Sequence, residues 1–147
     1  MDVLTKRDRP YWACYIIIIL GFILRVYSLG KESLWYDEVE TISRMSSGLF
    51  YLLWGDHIGP LYYIILRFWG WIFGISEISV RFPSVVFSAG TLFLTYKISV
   101  LLFNRKIGLI SVFFMVLSPA HIFYSQDATY YSLLLFLVSF MNLFFIK

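Results

Sequence analysis

Charged side chains are scarce in this sequence of 147 residues: Asp, Glu, Lys and Arg together make up 14%, where a soluble domain carries about a quarter. Set beside 60% hydrophobic and 21% aromatic residues, a deficit of that size excludes an ordinary water-soluble globule. Cysteine is almost absent too. The lone Cys14 has no intrachain partner for a disulfide and no spaced thiols with which to hold a metal, so it reads as a small buried side chain. The basic excess is small, formally +3, and lies in short clusters between apolar runs. A nucleic-acid-binding stripe is thereby excluded, and membrane lipid is the expected partner. No internal repeat or low-complexity linker interrupts the chain, so a single membrane domain over 1–147 is expected.

What is abundant is long apolar sequence. Four runs, 11–29, 82–103, 107–124 and 130–146, have the length that a hydrocarbon core of about 30 Å requires. Backbone groups in lipid must be satisfied within their own segment, and these runs lack the alternation of barrel strands, so each is expected to be helical. The predicted fold class is all-α: a polytopic membrane protein with about four transmembrane helices. The N-terminal cluster Lys6, Arg7 and Arg9 imitates a secretory leader, but no small-residue cleavage site follows it, and a retained anchor is expected.

A fifth apolar stretch, 60–73, is shorter and carries Arg67. If it does not span, Lys6, Arg7, Arg9, Lys97, Arg105, Lys106 and Lys147 all fall on one side, which the positive-inside rule makes cytoplasmic together with the N-terminus. If it spans, Arg105 and Lys106 move outside. Charge therefore favours an interfacial helix at 60–73, within an outer loop covering 30–80. Pro83 is expected in the first turn of the second span, where a missing N–H costs nothing.

The outward side then collects Glu32, Asp37, Glu38, Glu40, Asp56, Glu77 and Asp127, nearly every acid in the chain. Asp37 and Glu38 follow Trp35 and Tyr36, aromatics that sit well at headgroup depth. They are the candidate acid–base pair. Neighbours on a helix point about 100° apart, so one of the two is expected to act and the other to orient. The plainer alternative is a capping box from Asp37 to Glu40 that merely starts a helix. Arg44, Arg67 and Arg81 are candidate phosphate ligands through their guanidinium forks, with snorkelling to headgroups as the ordinary alternative; Arg25 has the same two readings. His57 is the candidate metal ligand or proton shuttle. Asp127 is placed to complement the positive end of the last helix, and His121, Tyr124, Tyr130 and Tyr131 fit an interfacial belt.

In order along the chain, Ser33-Leu34-Trp35-Tyr36-Asp37-Glu38, Gly59-Pro60-Leu61-Tyr62-Tyr63, Arg81-Phe82-Pro83-Ser84 and Tyr124-Ser125-Gln126-Asp127-Ala128-Thr129-Tyr130-Tyr131 resemble the N-terminal part of GT-C glycosyltransferases. Within them the branch of protein O-mannosyltransferases and lipid A aminoarabinose transferases is the most similar. The resemblance implies a polytopic enzyme that takes a sugar from a polyprenyl-phosphate donor and passes it, with inversion, to a protein, lipid or glycan acceptor on the outer or luminal face. It implies an essential acid in the first outer loop, at Asp37 with Glu38 beside it, and substrate contacts at Gln126 and Asp127. A prokaryotic cell membrane is the expected location. Two positions depart from the family pattern. The sequence has His57-Ile58-Gly59-Pro60 where His-Pro-Pro is frequent, and Thr129 where an Arg is common. A divalent metal cation is the expected cofactor, and this chain is expected to be the N-terminal portion of a larger membrane domain. A non-catalytic membrane scaffold or lipid-binding protein is the alternative function.

Overall fold

The computed structural model describes residues 12–48 and 59–146, which hold seven α-helices and no strand: α1 Trp12–Val26, α2 Tyr36–Ser46, α3 Pro60–Phe73, α4 Glu77–Leu102, α5 Arg105–Val116, α6 Pro119–Ser125 and α7 Tyr131–Ile146. The all-helical expectation holds for these residues.

The expected spans fare differently. At ~1.5 Å per residue, α4 reaches roughly 39 Å. Alone among the described helices it is both long and apolar enough to cross a bilayer; α5 and α6 qualify as one further span only if taken together across a 64° bend. The run 82–103 in fact begins at Glu77, because Ser76 caps the helix by accepting the Ser79 N–H at 3.2 Å. Pro83 is therefore not in the first turn. It lies inside the helix and buried, where its missing N–H leaves the Ser79 carbonyl without the usual partner. The run 107–124 is broken. Ser118 is extended, Pro119 starts a new helix, and the Ser118 hydroxyl accepts the His121 N–H at 3.4 Å; a residue before proline is pushed out of the helical region, so the bend sits at that pair. The runs 11–29 and 130–146 shorten to α1 and α7.

The bundle is organised around α4, which touches α1, α3, α5, α6 and α7. Close approach depends on small residues: a Cβ added at Gly90 would stand 2.7 Å from the Phe136 ring of α7. Two apolar clusters result. Cys14, Leu92, Tyr96, Val112 and Val116 pack where α1, α4 and α5 meet, and Cys14 is buried and free, as expected. The other cluster joins Met45, Tyr62, Tyr63, Leu66, Val80, Ala128 and Leu133 around the opposite end of α4.

The second cluster fixes the loop elements. Helix α3 starts after Gly59, whose left-handed φ of 91° suits glycine and whose missing side chain leaves room for Tyr130, 3.0 Å from where a Cβ would be. Tyr62 in α3 bonds Ser84 at 2.9 Å, the Ser79 hydroxyl donates to the Gly74 carbonyl at 2.8 Å, and Trp69 stacks on Phe82 at 5.6 Å. These contacts keep α3 beside the first turns of α4. Since Arg81 stands near the start of α4 and Arg105 follows its end, the acids of the loop and the basic pair Arg105 and Lys106 lie at opposite ends of the bundle, roughly 30 Å apart.

Candidate functional site

Glu38 anchors the acid-rich end. It sits at the third position of α2 with no exposed surface, and each carboxylate oxygen accepts two hydrogen bonds. One takes Arg81 Nε at 2.7 Å and the Ala128 N–H at 2.9 Å; the other takes Arg81 Nη2 at 2.7 Å and the Trp35 N–H at 3.0 Å. Burial alone would raise its pKa, but the guanidinium and the two backbone donors outweigh it and hold Glu38 below the ordinary carboxylate range. Arg81 is equally engaged. Its remaining N–H groups donate to the carbonyls of Leu29 at 2.8 Å, Glu32 at 2.9 Å and Ser33 at 3.2 Å. One ion pair thus ties the turn after α1, the start of α2, the start of α4 and the turn before α7.

Asp37, its neighbour, is exposed and has no hydrogen bond or ion pair among the described residues. The capping box expected from Asp37 to Glu40 is not formed: the residue before the helix is Trp35, and it is Glu38 that reaches back to the Trp35 N–H. An indole has no acceptor to return the favour, so half of the motif exists, two residues before the expected register. Asp37 is left facing two openings. The larger, about 590 Å³, is lined by Lys31, Trp35, Asp37, Tyr124, Asp127 and Tyr131 among others, with Glu38 and Arg81 in its wall. The second, about 410 Å³, is shared by Asp37, Glu40, Arg44, Tyr63, Tyr130 and Tyr131.

Asp127, half-buried, lines the larger cavity together with Asp37. Burial pushes its carboxyl up to about 6; the Thr129 hydroxyl, donating at 3.1 Å, opposes this, while the charges of Glu38 and Asp37 add to it. Gln126 has a structural duty: its Nε2 donates to the carbonyls of Arg25 at 3.1 Å and Tyr27 at 2.8 Å, groups that the end of α1 leaves unpaired.

Residues 56–147 match the description dolichyl-phosphate-mannose-protein mannosyltransferase. The chain belongs to that family, whose members are mannosyltransferase-type glycosyltransferases. No curated protein and no solved structure matches it. The matched segment contains Arg67, Arg81, Gln126 and Asp127, whereas Asp37, Glu38 and Arg44 precede it. In this family member the Glu38–Arg81 pair therefore stitches the preceding helix to the matched region.

Two of the expected phosphate ligands point elsewhere. Arg67 donates to the Ser47 carbonyl at 2.7 Å, locking α3 to the end of α2, and Arg81 has every N–H in use. Arg44 lines the smaller cavity, where it pairs with Glu40 at 2.6 Å and lies 6.0 Å from the Tyr63 ring centre. His57 lies outside the described residues. Among those residues no group of three His, Cys, Asp or Glu side chains stands close enough to hold a metal. Two features escaped the sequence. Lys31 lines the larger cavity beside Asp37, and Arg25 does not snorkel: it is wholly buried against His121 of α6. The length of the span gives no sign of which face of α1 Arg25 occupies.

Proposed function

We propose that the chain forms part of a multi-pass membrane glycosyltransferase of GT-C type. It would move a mannose-like sugar from a polyprenyl-phosphate donor to an acceptor hydroxyl on the non-cytoplasmic face, with inversion. The observation that carries this reading is the contrast between two adjacent acids: Glu38 is saturated by Arg81 and two backbone N–H groups, while Asp37, with no hydrogen bond or ion pair among the described residues, lines a cavity of about 590 Å³. An acceptor oxygen attacks the anomeric carbon, its proton passes to Asp37, and the bond from that carbon to the phosphate oxygen breaks with its electron pair leaving on the phosphate. A phosphate leaving group needs no proton, so a single positioned base with nearby cationic groups suffices. Lys31 and Arg44, which line the two openings beside Asp37, are the proposed cations. Glu38 and Arg81 are positioning residues.

Membrane embedding is supported by the apolar side chains that the bundle leaves bare, among them Phe114, Phe144 and Phe145, each more than 60% exposed. In water they would form an apolar surface far too large for a monomer. A divalent cation, the expected cofactor, would find Glu32, Asp37 and Asp127 lining the larger cavity, but among the described residues no three such side chains stand close enough together to hold a metal. No step is assigned to it.

Membranes containing the full reading frame, incubated with radiolabelled polyprenyl-phosphate mannose, test the reading. Label passing to a protein, lipid or glycan fraction is the expected result. Donor left intact across acceptor preparations would favour the scaffold alternative.

A further inference from the structure

Arg25 is a buried cation with neutral company. It is fully inaccessible, and its N–H groups donate to Ser88 Oγ at 2.7 Å, the Gly21 carbonyl at 2.8 Å, the Met115 carbonyl at 3.4 Å and His121 Nδ1 at 2.5 Å. Among the described residues no carboxylate pairs with it, whereas Arg81 has Glu38. Apolar residues of similar volume often pack as stably as buried charges, and an ionisable side chain inside an apolar bundle marks a functional site.

Two of these partners flank the break between α5 and α6. Pro119 has no N–H to offer the Met115 carbonyl four positions back, so that carbonyl takes the Ser118 N–H at 3.3 Å and Arg25 instead. His121 stands in the first turn of α6. Because a guanidinium only donates, the His121 Nδ1 must accept. Arg25 also meets the other end of this helix, where its carbonyl accepts from Gln126 Nε2 at 3.1 Å. One residue of α1 thus holds both ends of α6, a helix of seven residues and too short to persist alone.

The hold matters because of what α6 carries. Tyr124 on it, with Gln126 and Asp127 just after it, lines the larger cavity together with Asp37, and the Ala128 N–H binds Glu38. A slide or rotation of α6 would move that wall relative to Asp37, and a misplacement of about 1 Å can cost ~10²-fold in rate. We propose that Arg25 is a positioning residue of the transfer reaction, acting through His121 and the break before α6 to set Tyr124 and Asp127 in the cavity wall. The inference rests on the transferase reading. Since the donor's phosphate is assigned to Lys31 and Arg44, neither of which is on α6, loss of Arg25 spares donor binding and impairs turnover.

The test uses the full reading frame in membranes and in an uncharged detergent. Arg25→Met keeps much of the bulk and removes the donors; His121→Asn can place an amide oxygen near the position of Nδ1, and His121→Leu cannot. Donor KM and kcat are measured with polyprenyl-phosphate mannose, and backbone hydrogen exchange is followed by mass spectrometry. In Arg25→Met and His121→Leu, kcat should fall roughly tenfold or more with donor KM within about twofold. Exchange should quicken over 119–128 and stay unchanged over the middle of α4, while His121→Asn should match the parent in both measurements. Parental exchange over 119–128 in Arg25→Met, or parental kcat, would overturn the inference. So would His121→Asn failing as badly as His121→Leu, since the imidazole would then serve as more than an acceptor. If Arg25→Met does not fold, the two His121 variants decide by the same criteria. A transferring parent that Arg25→Met matches counts against this inference alone. A parent that transfers nothing counts against the transferase reading, and quickened exchange over 119–128 then still upholds the hold on α6.

Discussion

Glu38 and Arg81 face each other 43 positions apart in sequence, joined by two contacts of 2.7 Å that engage both carboxylate oxygens, while the remaining guanidinium N–H groups donate to the carbonyls of Leu29, Glu32 and Ser33. Neither side chain has more than 3% of its surface exposed. Removing one partner leaves an uncompensated buried charge, which typically costs ~3–5 kcal/mol. Glu38→Gln and Arg81→Gln are each expected to lower thermal stability sharply, and Glu38→Leu with Arg81→Met to lose less than either single change. Melting curves in detergent measure this, and single variants as stable as the parent would contradict it.

The same pair sets an acid limit. Because the folded state holds Glu38 below its ordinary range, it contributes stability above the unfolded carboxylate's pKa, and this is lost as pH falls through the lower folded value. Acidification should therefore narrow the stability gap between parent and Glu38→Gln. A gap of constant size down to strongly acidic pH would count against the pairing.

Asp127 behaves in the opposite sense. Its folded pKa, about 6, lies above that of a free aspartate, so the fold favours the proton, and stability falls as pH rises from roughly 4 through about 6. Asp127→Asn keeps an acceptor for Thr129 and removes that penalty. It should stabilise the protein at pH 8 and have little effect at pH 4.5, as unfolding at the two pH values would reveal; equal effects at both would disprove the raised value.

Arg105 and Lys106 lie at the far end of α4 from Arg81, which gives the orientation a direct check. In a Cys14→Ser background, Arg105→Cys should resist an impermeant thiol reagent in intact cells and react once they are opened, whereas Glu40→Cys should react in intact cells. Labelling of position 105 from outside would invert or break the proposed topology.

Helix content was readable from apolar runs because lipid-length stretches allow few alternatives. Their limits were less so. The Ser76 cap lies outside the apolar run, so hydropathy alone starts α4 near Pro83, several residues late. Ser118-Pro119 is a breaker inside a run whose hydropathy hides it, and the bend there follows from local sterics that composition does not register. At the site, the acids were legible as a group, but their roles were exchanged in part. The reach back to the residue before the helix, which the alternative capping-box reading gives to Glu40, belongs to Glu38, and the phosphate role expected of Arg81 gives way to an ion pair. Partners 43 positions apart, like Arg25 and His121 at 96, are set by packing of α4 against the other elements, which spacing along one chain does not encode.

The central claim is that Asp37, and not its neighbour, takes the acceptor's proton. Sugar transfer from polyprenyl-phosphate mannose, measured for Asp37→Asn beside the parent in the full reading frame, tests it most directly. Asp37 has no hydrogen bond to lose among the described residues, and its charge near the start of α2 contributes ~0.3–1 kcal/mol at most, so folding should be nearly unchanged. A positioned base contributes ~10² to 10⁴ in rate. The account predicts a normally folded Asp37→Asn protein with transfer reduced by at least that lower factor, while a folded variant that transfers at the parent's rate would contradict it.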